Sequence, residues 1–316
     1  MKKQAIRLFC AVFALWVCTL SVLAAPQMLI PGGSTVGIKL HTKGVVITGF
    51  EEESTAKEAG LKKGDMITKV DGKTIHTTQE LKENIPNQQV VLTVLREGKE
   101  AEFCVNPRTG RLGAYVRDTV AGIGTVTYYD PISGTFGALG HGVNDAGSGN
   151  LIPVEDGDVV SSCVCEVVKG KHGTPGELKG KFDLKKVLGR VSCNSPYGIF
   201  GSLHTPVSAK PLPVAQAGEV QLGKAVILSN VSGTKVKEYD VEILKLYPFA
   251  GSSGRNMLLK VTDSELLSAT GGIVQGMSGS PIIQDGKLVG AVTHVLVNDP
   301  TRGYGIFIEN MLEAAE

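Results

Sequence analysis

From residue 34 onward, the chain alternates short apolar runs with turns built from Gly, Pro, Asn and Asp. Apolar runs of about four to eight residues between such turns are typical of strands rather than of helices. The chain also has 40 glycines among its 316 residues, roughly twice the usual share of about 7%. Glycine enters positive-φ turns at little steric cost. The pattern therefore predicts a mainly β protein, and its length allows two or three domains.

The charges of the chain nearly cancel. Lys and Arg together number 32 and Asp and Glu 31, which leaves a formal net charge of +1. Such a balance supplies no overall field that would draw the protein to nucleic acid or to acidic lipid. Hydrophobic residues at 42% and charged residues at 20% describe a chain that folds rather than a disordered segment. The composition therefore favours a globular protein that does not bind nucleic acid.

The six cysteines predict neither a disulfide framework nor a metal site. Cys163 and Cys165 lie two apart in a strand-like run, so their side chains share one face and are poorly placed to bond each other. A metal site made of this pair and His172 lacks a second Cys or His pair to complete it. No nucleotide or haem motif is present either, so we expect no cofactor. Buried free thiols are expected at the cysteines outside the N-terminal stretch, namely Cys104, Cys163, Cys165 and Cys193.

The N-terminus has the order of an export signal. Three basic residues among the first seven precede an uncharged stretch of about 18 residues that ends at Ala25, and this order is typical of signal sequences. The stretch is long for a signal peptide and just long enough for a tilted membrane span. Residues 1–25 are therefore predicted to be a signal peptide or a membrane anchor, and residues 26–33 a linker. We expect a protein exported across the cytoplasmic membrane or anchored in it.

Residues 34 to 107 carry the pattern of a small peptide-binding module. Val36–Leu40 and Gly44–Ile47 are predicted to be two short strands around a turn. The string Ala-Lys-Glu-Ala-Gly-Leu-Lys-Lys-Gly-Asp-Met-Ile-Thr-Lys-Val-Asp-Gly follows at 56–72; in it, a one-turn helix with a capping glycine runs into a hairpin. Residues 77–85 are predicted to form an amphipathic helix that Pro86 ends. This order and this string resemble a PDZ domain, which is a small α+β fold.

The PDZ resemblance implies a groove in which an extended peptide adds as an extra strand. Its walls would be the strand from Ile38 and the helix from Thr78. The segment from Gly37 to Leu40 is at the position of the loop that holds a terminal carboxylate, although it departs from the usual Gly-Leu-Gly-Phe. The predicted groove residues are Gly37, Ile38, Lys39, Leu40, Leu81 and Ile85. A bound peptide, for which the chain's own N-terminal segment is one candidate, is the implied partner; the alternative is a module that only packs against its neighbour.

Residues 108 to 316 hold two short motifs, each with a residue able to take part in catalysis. His141 lies between two glycines after a predicted hairpin, and histidine is the usual general base near neutral pH. Further along, the Gly-Met-Ser-Gly-Ser-Pro turn at 276–281 is followed by a strand. Such a turn lifts the hydroxyl of Ser278 out of the backbone, and the amides of Gly276 and Ser278 can converge on one oxyanion. The arrangement resembles the nucleophile loop of chymotrypsin-like serine peptidases, which have a double β-barrel.

The whole pattern, from residue 26 to 316, resembles the stage IV sporulation protein B peptidases of spore-forming bacteria. The resemblance rests on the hydrophobic N-terminus, a PDZ domain placed before the catalytic domain, Gly-His-Gly at 140–142 and Thr-Gly-Gly-Ile-Val-Gln-Gly-Met-Ser-Gly-Ser-Pro at 270–281. It implies a sporulation signalling protease between the forespore and mother-cell membranes, associated with a membrane through its N-terminal segment. It also implies cleavage of the protease by itself and of a membrane-anchored regulator, so that an intramembrane protease can process a sporulation sigma factor.

The acidic member of a catalytic triad is the least defined residue of the site. The family resemblance implies Asp263, which lies 15 residues before Ser278. In chymotrypsin-like folds the acid usually lies closer to the histidine in sequence, so Asp145, Asp156 and Asp158 remain alternatives. The predicted catalytic residues are thus His141, Asp263 and Ser278, whereas His294 is expected to be a packed strand residue.

Two other functions use the same modules. The first is a PDZ adaptor whose barrel domain has lost catalysis, which would bind peptide without turnover. The second is a quality-control protease of the high-temperature-requirement type, which would degrade unfolded proteins broadly. In that type the catalytic domain normally comes first, so the PDZ-first order here argues against it. Cleavage specificity and oligomeric state do not follow from the sequence.

Overall fold

A computed structural model describes residues 27–145, 149–249, 251 and 254–315. The predicted signal peptide or anchor at 1–25 lies outside the described residues. Within the described part of the chain, no helix is both long enough and apolar enough to cross a membrane.

The described residues fold mainly into antiparallel strands. The first strands are β1 (Met28–Pro31), β2 (Thr35–Phe50), β3 (Met66–Val70), β4 (Lys73–Thr74), β5 (Val90–Arg96) and β6 (Lys99–Val105). The next are β7 (Ala114–Tyr129), β8 (Thr135–Ala138), β9 (Val154–Val168), β10 (Glu177–Ser195), β11 (Gly198–Leu203) and β12 (Leu212–Pro213). The last are β13 (Gly223–Ser229), β14 (Lys237–Leu246), β15 (Met257–Val261), β16 (Pro281–Gln284), β17 (Lys287–Leu296) and β18 (Asp299–Phe307). The helices are short: α1 (Thr55–Glu58), α2 (Thr78–Asn84), α3 (Ser264–Thr270) and α4 (Ile308–Glu313).

The PDZ domain has its own hydrophobic core, formed by the second half of β2, β3, β5, β6 and the two helices between them. Helix α2 begins where the sequence predicts, because Thr77 and Glu80 form a reciprocal capping box, which satisfies two helix N-terminal donors. Leu81 is its buried residue. The carboxylate of Asp65 is buried and paired with the Arg96 guanidinium through two bonds of 2.7 and 2.6 Å.

Two β-barrels follow. The first is a ring in which β7, β8, β11, β10, β9 and β2 pair in turn and β2 pairs again with β7. The second is the closed barrel β13-β14-β15-β18-β17-β16. Each encloses an apolar core. A further cluster joins the two barrels; it includes Leu29 of β1, Tyr128 and Phe200 of the first barrel, Ile306 of β18 and Met311 of α4. The mainly β prediction, with a PDZ domain and a double barrel, is confirmed.

Strand β2 is shared between the PDZ domain and the first barrel, which differs from the prediction of two short strands around a turn. Its first half, residues 35–42, pairs with β7 on one edge and with β9 on the other. Its second half pairs with β3 and β7. Gly44 serves close approach rather than a turn, since a Cβ there would lie 2.4 Å from the Ile67 carbonyl oxygen. One continuous strand therefore ties the two domains together.

Two smaller expectations also change. Part of the segment 26–33, predicted to be a linker, is strand β1, whose Met28 and Leu29 pair with β12 and whose Ile30 and Pro31 pair with β7. The cysteines outside the N-terminal stretch are free, but they are not buried, because their side chains project from strands at the barrel and PDZ surfaces. Cys104, Cys165 and Cys193 are exposed and Cys163 is half-buried.

Candidate active site

His141 follows β8 at a sharp turn of the backbone. Leu139 and Gly140 both have positive φ angles, 70° and 68°, and for a leucine this conformation is strained. The turn presses on the second barrel: a Cβ at Gly140 would lie 3.0 Å from the Thr293 Cγ2 atom on β17. The loop that carries His141 is therefore held against the second barrel.

Ser278 lies in the turn between α3 and β16, and the glycines on either side are required by geometry. Gly276 and Gly279 have φ angles of 97° and 96°, a region that favours glycine. A Cβ at Gly279 would lie 2.0 Å from the Thr125 carbonyl oxygen and 2.6 Å from the Leu139 nitrogen. The serine turn thus lies directly against β7 and against the turn before His141.

The peptide units of the serine turn leave two amides free. The carbonyl oxygens of Gly276 and Ser278 accept bonds from the Thr125 hydroxyl and amide, at 2.7 and 3.0 Å. The amides of Met277 and Gly279 donate to Val274 and Val292. By contrast, neither the Gly276 amide nor the Ser278 amide donates to any residue that the structure describes. Amides inside a protein are nearly always hydrogen-bonded. These two have no partner among the described residues, so they are available to a ligand.

A cavity of about 1100 Å³ brings these groups together. His141, Gly276 and Ser278 all line it, as do Thr293 and His294. The Ser278 hydroxyl donates a 2.6 Å hydrogen bond to the Thr293 carbonyl oxygen. His141 Nδ1 lies 2.9 Å from the Gly142 carbonyl oxygen, which assigns the proton to Nδ1 and leaves Nε2 without one. The unprotonated nitrogen is the one that can act as a base.

Burial lowers the pKa of both histidines of the cavity. It lowers the pKa of His141, partly offset by the hydrogen bond to Gly142 that favours the charged form. His294 lies beside it, with ring centroids 5.0 Å apart. Burial first, then the positive charges of His141 and Arg255, lower the pKa of His294 to about 4. His294 is therefore neutral near pH 7. It lies in a strand, as expected, and its side chain also forms part of the cavity wall.

Asp263, predicted to be the acid of a triad, lies at the start of helix α3 and away from His141 and Ser278 in the cavity. Its carboxylate caps helix α3, accepting a 2.8 Å bond from the Leu266 amide, and it does not line the cavity. A carboxylate used in this way satisfies the helix terminus and does not orient an imidazole elsewhere. In the structure, the carbonyl of Gly142 is the group bonded to His141 Nδ1.

Two of the three alternative acids have ion-pair partners of their own. Asp145 forms an ion pair with Arg117, and Asp156 pairs with His41 and Arg190. Asp158 lies in β9, opposite Lys39 of β2. Within the described residues, no group of three or more His, Cys, Asp or Glu side chains is placed to hold a metal ion.

The residues predicted to form the peptide groove lie in two different parts of the structure. Gly37, Ile38, Lys39 and Leu40 lie in the barrel half of β2 with a strand paired on each edge, so no peptide strand can add there. Of the helix residues, Leu81 is buried in the PDZ core and Ile85 packs against it. Helix α2 is bonded to the first half of β7 and not to residues 37–40. The Asp118 carboxylate of β7 accepts hydrogen bonds from the Thr78 amide and hydroxyl, at 2.7 and 3.0 Å.

Sequence reasoning missed Thr125, Thr293 and this use of β7. Thr125 and Thr293 look like ordinary β-branched residues in strands, and only their contacts with the Ser278 turn distinguish them. The sequence signal beside Thr125 is Gly124, where a Cβ would lie 2.2 Å from the Leu139 side chain, since a glycine within a strand permits close approach of another element.

A double β-barrel with a nucleophile turn of this geometry, a histidine in the same cavity and a PDZ domain defines a PDZ-containing serine peptidase of chymotrypsin-like architecture. Comparison with protein families agrees: the model of the family described as SpoIVB peptidase S55 matches residues 108–312, and that of the PDZ domain matches residues 35–106. The chain belongs to the SpoIVB peptidase S55 family. That family is described as one of peptidases.

Individual relatives match over short stretches. Serine protease HTRA1 of Xenopus laevis is 37% identical over 60 residues, which is 19% of this chain and 13% of that protein. A probable periplasmic serine endoprotease, DegP-like, of Brucella suis is 33% identical over 67 residues, 20% of this chain and 13% of that protein. Among solved structures, the crystal structure of Rv3671c protease in its inactive form has a TM-score of 0.37 and 16% sequence identity, over 61% of this chain and 84% of that chain.

Proposed function

We propose that the protein is a serine endopeptidase in which Ser278 is the nucleophile and His141 the general base. The observation that carries this assignment is the single cavity that Ser278, His141 and the unbonded amides of Gly276 and Ser278 share. A peptide carbonyl held over these amides would have its oxygen in an oxyanion hole. Both motifs that predicted a peptidase from the sequence meet in this cavity.

The reaction follows from the positions of these groups. The Ser278 hydroxyl, which donates to the Thr293 carbonyl oxygen in the free enzyme, turns to His141 Nε2 and attacks the substrate carbonyl carbon as its proton passes to that nitrogen. The carbonyl oxygen takes up negative charge and accepts bonds from the Gly276 and Ser278 amides. His141 then gives the proton to the departing amine, which leaves an acyl enzyme on Ser278. A water molecule, deprotonated by His141, releases the acid and restores Ser278.

We further propose that the peptidase acts in sporulation signalling. Membership of the SpoIVB peptidase S55 family supports a role in which the protease cleaves itself and a membrane-anchored regulator, so that an intramembrane protease can process a sporulation sigma factor. The basic and apolar N-terminus supports export across, or anchoring in, the cytoplasmic membrane and a site of action between the forespore and mother-cell membranes. The PDZ domain supports binding of a peptide or protein substrate.

The test is mass spectrometry of the purified chain and of two variants, incubated alone and with the candidate regulator. Ser278→Ala should abolish all cleavage. Ser280→Ala is the matched control, because it removes a hydroxyl that has no hydrogen-bond partner among the described residues, two residues further along the same turn. One or two defined cuts in wild type and Ser280→Ala, absent in Ser278→Ala, would support the proposal.

Other outcomes point elsewhere. Cleavage that persists in Ser278→Ala would contradict the assigned nucleophile. Peptide binding without any cleavage would indicate an adaptor. Broad degradation of an unfolded protein such as reduced casein, with no defined cut in the regulator, would indicate a quality-control protease instead of a signalling one.

A further inference from the structure

Thr125, near the end of β7, is bonded to both loops of the active site. Its hydroxyl donates to the Gly276 carbonyl oxygen at 2.7 Å and its amide to the Ser278 carbonyl oxygen at 3.0 Å. Its own carbonyl oxygen accepts a 3.1 Å bond from the Leu139 amide, two residues before His141. The residue is fully buried, with 0% exposure. A single residue of the first barrel is thus bonded to the serine turn of the second barrel and to the histidine loop.

The hydroxyl matters because Gly276 has no conformational preference of its own. At a φ of 97° a glycine can rotate with little steric penalty, and rotation at Gly276 would turn the following peptides, and with them the Ser278 amide, relative to the Gly276 amide. The bond from the Thr125 hydroxyl fixes the carbonyl side of this residue, while the Leu178 amide fixes the preceding peptide through the Gln275 carbonyl oxygen. Removing the hydroxyl would leave the buried Gly276 carbonyl oxygen without a hydrogen-bond donor. The carbonyl would then be stabilised by rotating toward another donor.

We propose that Thr125 is a positioning residue of the peptidase: its side-chain hydroxyl sets the direction of the two oxyanion-hole amides relative to each other. The proposal rests on the proposed roles of Ser278 and His141. Thr125 touches neither substrate nor reacting atoms. Its effect is on the geometry of the Gly276–Ser278 turn, and donors must be directed at the developing oxyanion to lower the barrier.

The chain offers a matched control two residues away on the same strand. Thr127 is also fully buried, but its hydroxyl has no hydrogen-bond partner among the described residues. Replacing either threonine by valine removes one buried hydroxyl and keeps the β-branched shape. The two variants therefore differ in whether the lost hydroxyl holds the serine turn.

The experiment measures the rate at which a fluorophosphonate labels Ser278 in the full chain. In this reaction the Ser278 oxygen displaces fluoride from phosphorus, its proton passes to His141, and the phosphonyl oxygen occupies the oxyanion hole. We expect Thr125→Val to lower the second-order rate constant about 10- to 100-fold, somewhat less than the loss of a whole oxyanion donor, which costs about 100- to 1000-fold. Thr127→Val should label at the wild-type rate, and Thr125→Ser, which keeps the hydroxyl, should stay within about threefold of wild type. Ser278→Ala should not label.

The outcomes separate the two proposals. Equal rates for Thr125→Val and Thr127→Val, or equal losses in Thr125→Ser and Thr125→Val, would overturn the role of Thr125. Label on Ser278→Ala, or none on wild type, would overturn the assigned nucleophile and with it the role of Thr125. If Thr125→Val does not fold, as judged by its near-ultraviolet circular dichroism, the pair Thr125→Ser and Thr125→Ala replaces it. Both leave extra space and differ by one hydroxyl, so equal rates in that pair would also overturn the proposal.

Discussion

Replacing Asp263 by Asn and by Ala separates two roles for this side chain. As the cap of helix α3, Asp263 accepts a bond from the Leu266 amide at 2.8 Å. Asn caps a helix about as well as Asp, so Asp263→Asn should keep both the cap and the fold. If the side chain served instead to orient His141, the loss of its charge would remove that function even though the shape is preserved.

The expected magnitudes differ widely between the two roles. For a cap, Asp263→Ala should lower the free energy of unfolding by about 1 kcal/mol, or roughly 2–4 °C in the thermal midpoint of a domain of this size. Asp263→Asn should change it by a few tenths of a kcal/mol at most, through the lost attraction of a charge to the helix dipole. Labelling of Ser278 should stay within about threefold of wild type in both variants. A triad acid, in contrast, loses about 10⁴-fold in rate when Asp becomes Asn.

Thermal unfolding and fluorophosphonate labelling of the same preparations give the two readouts. Asp285→Asn is the charge-matched control, because Asp285 lies exposed in the turn between β16 and β17. A folded Asp263→Asn variant that labels more than about 100-fold slower than Asp285→Asn would refute the capping account. A roughly 100-fold lower rate corresponds to an activation free energy about 2.7 kcal/mol higher, which is more than the loss of a helix cap costs.

Three other predictions concern the site and the PDZ domain. Because burial lowers the pKa of His141, its neutral form persists to more acidic pH, so the labelling rate should reach half its maximum below pH 6.5, the usual value; a midpoint above pH 7 would contradict this. Gly279→Ala should abolish labelling and lower the melting temperature, because a Cβ would lie 2.0 Å from a carbonyl oxygen, whereas Gly286→Ala, with nothing within 4 Å of its Cβ, should cost about 1 kcal/mol; equal losses would argue against the close approach. Arg96→Met should destabilise the PDZ domain by about 3 kcal/mol because it leaves the buried Asp65 carboxylate unpaired, as urea unfolding would report, and a change below about 1 kcal/mol would show that the pair contributes little.

The sequence alone is informative where neighbouring residues determine the geometry. The Gly-x-Ser-Gly turn requires two positive-φ glycines a few residues apart, and both are visible in the chain. The helix α2 is equally local, since Thr77 and Glu80 cap it. The motifs of the PDZ and peptidase modules, with His141 and Ser278 in glycine-flanked turns, are also visible in short stretches of the sequence.

Pairings between distant strands are decided by the tertiary structure. Alternating apolar residues make Gly37–Leu40 equally suited to the edge of a groove and to the middle of a barrel, and the choice depends on β7 and β9, some 80 to 120 residues away. Asp263 comes directly before helix α3, so its carboxylate accepts a hydrogen bond from a nearby amide of that helix. Its position in the family motif does not reveal this contact.

Thr125 shows the same limit at the site itself. Its neighbours in the sequence do not distinguish it from Thr127. The Thr125 hydroxyl donates to the Gly276 carbonyl oxygen, 151 residues away along the chain, whereas the Thr127 hydroxyl has no hydrogen-bond partner among the described residues. Local sequence determines which conformations a turn can adopt, because sterics and capping act over a few bonds. Which of those conformations is held, and what faces it, depends on contacts that exist only once the two barrels have packed against each other.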